Sequence, residues 1–280
     1  MSIELYGFLN SIGKQTSPPT NKLTTFIVAG QSNADGRVPL VNAPSWLNQS
    51  NPTVTGVKMW NINVTPHQFN DFKLGVNSGA DVWTQTTWAF DMEAMHDYYY
   101  GKNTTVYMVK RTKGGTPIYI DPTNPKGSWN VNFTGITAAN TGITILLQDL
   151  QWYYQSAVTY ATSVGKILDV KSILWHQGES DYLPADAYNS YYQNFKDVIY
   201  YIRNNIVGNS TLPIVYGTVP HASGEYNVIV ENAHLQIASE DVNAHCVNLA
   251  NMTLLPDGLH LDSTSAIYFG DQVYNIIKNF

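Results

Sequence analysis

Short apolar runs alternate with helix-patterned segments along almost the whole chain, and this alternation limits the fold more than any other feature. The runs lie at 24–29, 57–61, 105–110, 172–176, 213–219 and 245–249, each rich in β-branched or aromatic residues and bounded by Gly, Pro or polar turns. Most are apolar on both faces, as strands buried inside a parallel sheet are. Between them apolar residues recur at spacings of three or four: Ile143, Leu146, Leu147, Leu150, Tyr154, Ala157, Ala161 and Val164, then Tyr188, Tyr191, Phe195, Val198, Ile202 and Ile206. A third stripe runs through Ala266, Phe269, Val273, Ile277 and Phe280, preceded by the helix-capping residue types Asp262 and Ser263. Strand and helix in alternation predict right-handed crossovers and an α/β architecture, one parallel sheet covered on both faces. In such sheets ligands bind beyond the carboxyl ends of the strands, so function is sought just after each run.

Composition narrows the partners. The 280 residues are 44% hydrophobic, with 7 Trp, 9 Phe and 19 Tyr, which excludes disorder and a disulfide-stapled miniprotein. Residues 1–23 read as an irregular lead-in and 24–280 as one domain. Fifteen Lys plus Arg against 21 Asp plus Glu leave a net charge of −6, the wrong sign for neutralising phosphates or anionic lipid, so neither nucleic acid nor membrane insertion is expected. The single cysteine, Cys246, allows no internal disulfide and no multi-thiolate metal site. Only 13% of residues are charged, and Asn, Thr and Tyr take up the surface instead. That profile suits a polysaccharide-facing, extracellular or virion-associated setting, although residues 1–20 lack the basic and apolar regions of a secretion signal. The oligomeric state stays open, membership of a larger assembly included. Two irregular stretches, 39–84 and 112–140, are long enough to form a binding rim.

Four segments at predicted strand ends carry side chains suited to chemistry. Residues 26–36 run from a strand into a polar turn with Gly30, Gln31, Ser32 and Asn33, a placement that holds a serine hydroxyl forward beside backbone N–H donors. Asp257 precedes His260 by three residues, so within one loop a carboxylate can orient an imidazole able to take the serine proton. Residues 173–181 bring Gln177, a side-chain N–H donor, and Glu179, a second carboxylate that either orients His260 or braces another loop. Gly114 and Gly115 follow the third run, where the lack of a Cβ lets a backbone N–H approach a developing oxyanion closely.

Taken in order, Gly30-Gln31-Ser32-Asn33, Gly114-Gly115-Thr116, Trp175-His176-Gln177-Gly178-Glu179-Ser180 and Asp257-Gly258-Leu259-His260 resemble the SGNH hydrolase superfamily, in its sialate O-acetylesterase and acetylxylan esterase branch. The resemblance covers the chain from about residue 24 to its end. It implies a flavodoxin-like three-layer sandwich around a mainly parallel sheet of about five strands. It also implies Ser32 as nucleophile, His260 as general base and Asp257 as its orienting acid. The oxyanion hole would comprise the Ser32 N–H, a backbone N–H of Gly114 or Gly115, and the Gln177 side chain, with Gln31, Asn33 and Glu179 in support.

Arg37, His221 and Trp129 are weaker candidates for substrate contact. No His, Asp or Glu grouping has metal-ligand spacing and no Gly-rich loop fits a nucleotide phosphate, so no cofactor or metal is expected. The expectation is a serine esterase that removes O-acetyl groups from a carbohydrate. Its rivals are a lipid or thioester hydrolase on the same fold, and a non-catalytic carbohydrate-binding or virion protein that keeps it.

Overall fold

The computed structural model describes residues 21–79, 86–121, 124–132 and 145–280. Its elements are β1 (Lys22–Gly30), α1 (Ser32–Asp35), β2 (Val38–Pro39), β3 (Thr53–Asn61), β4 (Gln68–Lys73), β5 (Thr87–Trp88), α2 (Phe90–Lys102) and β6 (Val106–Thr112). They continue with α3 (Leu146–Ser163), β7 (Ile167–His176), α4 (Ala185–Tyr201), β8 (Ile214–Gly217), α5 (Val228–Glu240), β9 (Ala244–Val247) and α6 (Ser263–Ile277). The lead-in at 1–20 and part of the 112–140 loop lie outside the described residues.

Seven strands form the main sheet in the order β4-β3-β6-β1-β7-β8-β9, parallel throughout except where β3 meets β4. Numbered along the chain, β6-β1-β7-β8-β9 has the flavodoxin-like order 2-1-3-4-5. This is the expected sheet of about five strands, widened at its β6 edge by β3 and β4. The 39–84 region, expected to be irregular apart from the run at 57–61, therefore supplies two strands of the sheet, and β2, just at its start, pairs with β5. β4 escapes sequence reading because only Phe69 and Phe72 are buried among polar neighbours, as suits an edge strand.

Helices cover both faces of the sheet because strand side chains alternate. In β1, Ile27 and Ala29 join Ile173, Trp175 and Tyr216 in a core closed by Leu150 of α3, Phe195 of α4 and Ile237 of α5. Phe26 and Val28 face the other way, with Leu174 and Val215, against Phe90 and Met95 of α2 and Phe269 and Val273 of α6. Each fully buried side chain of this size contributes about 1.5–3 kcal/mol, so both layers are anchored from the same central strands. At the start of α6 the Asp262 carboxylate accepts from Ser265 N at 2.9 Å, the cap the sequence predicts. α2 gives no clean amphipathic signal because Asp91 and Glu93 are buried beside Phe90 and Met92.

The strand order reverses between the parallel neighbours β1 and β7, and there the two backbones close on each other. Gly30 adopts φ 128°, and a Cβ at that position would sit 2.1 Å from His176 O, so no larger residue fits. Gln31 N then donates to His176 O at 2.9 Å, which fixes the turn that presents Ser32.

Candidate active site

Gln31, Ser32, Arg37, Gly114, Gly115, Leu259 and His260 line one pocket of about 250 Å³ at the carboxyl edge of the sheet, joined by Lys126 and Glu225. Ser32 begins α1 directly after the Gly30 turn. The chain end of β6 is drawn to it, since Lys113 N donates to Gly30 O at 3.0 Å. A Cβ on Gly114 would lie 3.4 Å from Ser32 Cβ and 2.6 Å from Arg37 Nη2, so the glycine leaves its backbone open beside the serine. Arg37 is held at the rim by the buried Asp35 carboxylate, 2.7 Å from Nη1, which itself accepts from Thr112 Oγ1 at 2.6 Å. Burial works to raise the Asp35 carboxyl, but Lys110 and Arg37 outweigh it and leave it below the ordinary range.

On the opposite side stands the loop before α6. Asp257 Oδ2 lies 2.7 Å from His260 Nδ1, while Asp257 Oδ1 accepts from the backbone N–H of Leu259 and of His260. These bonds outweigh partial burial and hold the Asp257 carboxyl below its usual value. With Nδ1 donating to the carboxylate, Nε2 remains the acceptor nitrogen.

Asn33, buried under the turn, ties this loop to the serine. Its Oδ1 accepts from Leu261 N at 2.9 Å and its Nδ2 reaches Leu259 O at 3.4 Å, so both neighbours of His260 are strapped to the residue after Ser32. The same Nδ2 donates to Glu179 Oε1 at 2.7 Å, and that oxygen lies 3.1 Å from His176 Nε2. Glu179 therefore acts on His260 through Asn33 and the loop backbone rather than by touching the imidazole. Burial would raise Glu179, but the adjacent His176 and the Asn33 amide hold it down at about 2.

A scan of protein families matches residues 22–278 to a model described as carbohydrate esterase, sialic acid-specific acetylesterase. The chain belongs to this carbohydrate esterase family. A probable carbohydrate esterase from Arabidopsis thaliana is 28% identical over 102 residues, a match spanning 36% of this chain and 38% of that protein. The solved structure of an Arabidopsis thaliana protein superposes with a TM-score of 0.67 at 19% identity, over 93% of this chain and 99% of that one. NanS gives 0.65 at 14% identity over 93% and 98%. A carbohydrate acetylesterase from Xanthomonas citri gives 0.57 at 14% over 90% and 54%. At these identities the structures speak for a shared SGNH-type fold.

Three expected site residues stand elsewhere. Gln177 was expected to donate to an oxyanion, yet its Nε2 donates to Asp181 Oδ2 at 2.6 Å and to Thr116 O at 3.3 Å, engaging both amide hydrogens in the interior. Its role there is to fix the segment after the glycine pair, where Asp181 also accepts from Ile118 N and Tyr119 N. Trp129 is fully buried, edge-on to Trp175 at 5.0 Å, and is core rather than a stacking surface. His221 pairs with Glu231 at 3.0 Å outside the pocket lining. Sequence reasoning missed Lys126 and Glu225, single charged residues in loops with no motif around them. Burial, with Glu179 nearby, raises the Glu225 carboxyl. Asp35 had a signal, an acidic residue two before Arg37. Among the described residues, Glu93, His96 and Asp97 bring metal-type donor atoms within 4.8 Å of one another on α2, but Trp46 Nε1 already donates to both Glu93 oxygens. No described helix is long and apolar enough to cross a membrane.

Proposed function

We propose that the chain is a serine esterase that removes O-acetyl groups from a carbohydrate, with Ser32 as nucleophile, His260 as base and Asp257 as orienting acid. The observation that carries this reading is the 2.7 Å pair between Asp257 and His260 Nδ1 in a pocket whose opposite wall is Ser32 and Gly114. Ser32 Oγ attacks the acetyl carbonyl carbon while His260 Nε2 takes its proton. The N–H groups of Ser32 and of Gly114 or Gly115 receive the oxyanion. Collapse breaks the ester bond, and His260 returns the proton to the departing sugar oxygen. A water then gives its proton to His260 and attacks the acyl-serine, the bond from the acyl carbon to Ser32 Oγ breaks, and His260 returns the proton to Oγ as acetate leaves.

The lining supports a sugar over a lipid. Arg37, Lys126 and Glu225 at the rim offer hydrogen bonds to a hydroxyl-rich ligand, and among the described residues the lining holds no broad apolar wall for an acyl chain. The test is acetate release from acetylated xylan, O-acetylated sialic acid and acetylated bacterial polysaccharide by the wild type and by Ser32→Ala. Release that depends on Ser32 supports the reading; no release from any of them favours a non-catalytic carbohydrate-binding protein.

A further inference from the structure

A second groove, about 500 Å³ in volume, opens between α3 and the turn joining β3 to β4. Its floor is the buried Trp60, whose indole N–H donates to Ser156 Oγ at 3.1 Å, so the ring is fixed before any ligand arrives. Tyr160 stands 5.6 Å from Trp60, ring to ring, and His67 meets Trp152 edge to face at 5.8 Å. Trp152 leaves 48% of its surface in water. Along α3, Gln155, Thr159 and Ser163 follow at spacings of four and so share the face that borders the groove. Thr159 and Ser163 donate their hydroxyl hydrogens to the helix carbonyls of Gln155 and Tyr160, which turns their oxygens outward as acceptors. No Lys, Arg, Asp or Glu lines it among the described residues.

This combination selects a ligand class. A charged group would find no counter-ion, and a wholly apolar one would cover the Gln155, Thr159 and Ser163 row without giving it partners. An uncharged pyranose has both halves of the match, a C–H face for an indole and hydroxyls around its edge. We propose that this groove is a second carbohydrate site, taking a neutral sugar unit of the same glycan chain whose acetyl ester is cleaved at Ser32. The proposal rests on the carbohydrate reading above. Register supports the link: Met59 and Phe26 both pair with Met108, so Trp60 is level with Ile27, two strands across and five residues short of Ser32. By strand spacing and rise the two sites are roughly 20 Å apart, near enough for one oligosaccharide to bridge them and raise the local concentration of ester.

The test uses the full chain carrying Ser32→Ala, which leaves acetyl groups in place, with and without Trp152→Ala. Each protein is run by affinity electrophoresis through gels containing acetylated xylan, deacetylated xylan, galactan or mannan. At least one polymer should retard the Ser32→Ala protein, and Trp152→Ala should weaken that retardation roughly tenfold, as expected for losing one stacked indole. With Ser32 intact, Trp152→Ala should hydrolyse 4-nitrophenyl acetate at the wild-type rate, which shows that the half-exposed substitution has not disturbed the fold or the catalytic pocket. No retardation by any of these polymers, or retardation unaffected by Trp152→Ala, overturns the proposal. So does a change of oligomeric state with glycan binding intact, which would make the groove a contact between copies. Failure of the esterase reading shows separately, as acetate release that survives Ser32→Ala.

Discussion

Two carboxylate–imidazole pairs with the same three-residue spacing sit in this molecule in opposite surroundings. Asp257 and His260 approach to 2.7 Å at the pocket mouth, with side chains 45% and 20% exposed; His176 and Glu179 approach to 3.1 Å beneath it, at 0% and 2%. The chemistry of the groups is alike, so access decides what each pair does. An imidazole at the mouth can take a proton from one partner and hand it to another. The buried pair has no such exchange, and His176 Nδ1 and Glu179 Oε2 find no hydrogen-bond partner among the described residues. Its product is geometry: Glu179 fixes Asn33, and Asn33 fixes the backbone on both sides of His260. A perturbed titration alone therefore does not mark a reacting residue, because Glu179, buried and held down at about 2, serves geometry.

Substitutions that separate the pairs give effects of graded size. His260→Ala should reduce acetyl-ester turnover on the order of 10³-fold or more with the melting temperature nearly unchanged, since it removes the base from an open loop. Asp257→Asn should cost on the order of 10²-fold or more, because the imidazole then loses the acceptor that fixes its tautomer. Turnover close to wild type in either variant would move the chemistry away from this loop.

Glu179→Gln inverts the pattern. It should destabilise the fold by about 1–3 kcal/mol and lower turnover less than Asp257→Asn does, since Gln still accepts from Asn33 but no longer places a carboxylate beside the buried His176. Its pH signature is distinct. Glu179 in the folded protein titrates at about 2, below the ordinary 4.5, so its contribution is fully present above about pH 4.5 and is lost as pH falls from there through about 2. Chemical denaturation across that window should show a shallower loss in Glu179→Gln than in the wild type. A larger catalytic loss than that of Asp257→Asn, in folded protein, would make Glu179 the acid that matters. Smallest of all, Lys126→Ala touches neither pair and should raise KM roughly two- to tenfold with kcat unaltered.

Much of this arrangement was legible before the fold. The central strands read clearly because a buried parallel strand is apolar on both faces, and Asp257 with His260 read as a unit because the contact is local. Ser32 and the glycine pair followed from their position at strand ends. What failed was the placement of side chains by long-range packing. Gln177 sits at the right strand end, but Asp181, four residues on, and Thr116 on another segment claim its amide. Trp129 lies in a Pro/Gly-rich loop that looks exposed in sequence and folds back onto Trp175. The edge strand β4 was missed because it has too few buried positions to alternate.

The central claim is that Ser32, activated by the exposed pair, is the residue that becomes acylated. Treatment with an organophosphonate ester followed by peptide mass mapping tests it directly. The account predicts one adduct, on Ser32, formed on the order of 10³-fold more slowly in His260→Ala and at a near-normal rate in folded Glu179→Gln. An adduct on another residue, or labelling of Ser32 that proceeds unchanged without His260, would contradict it.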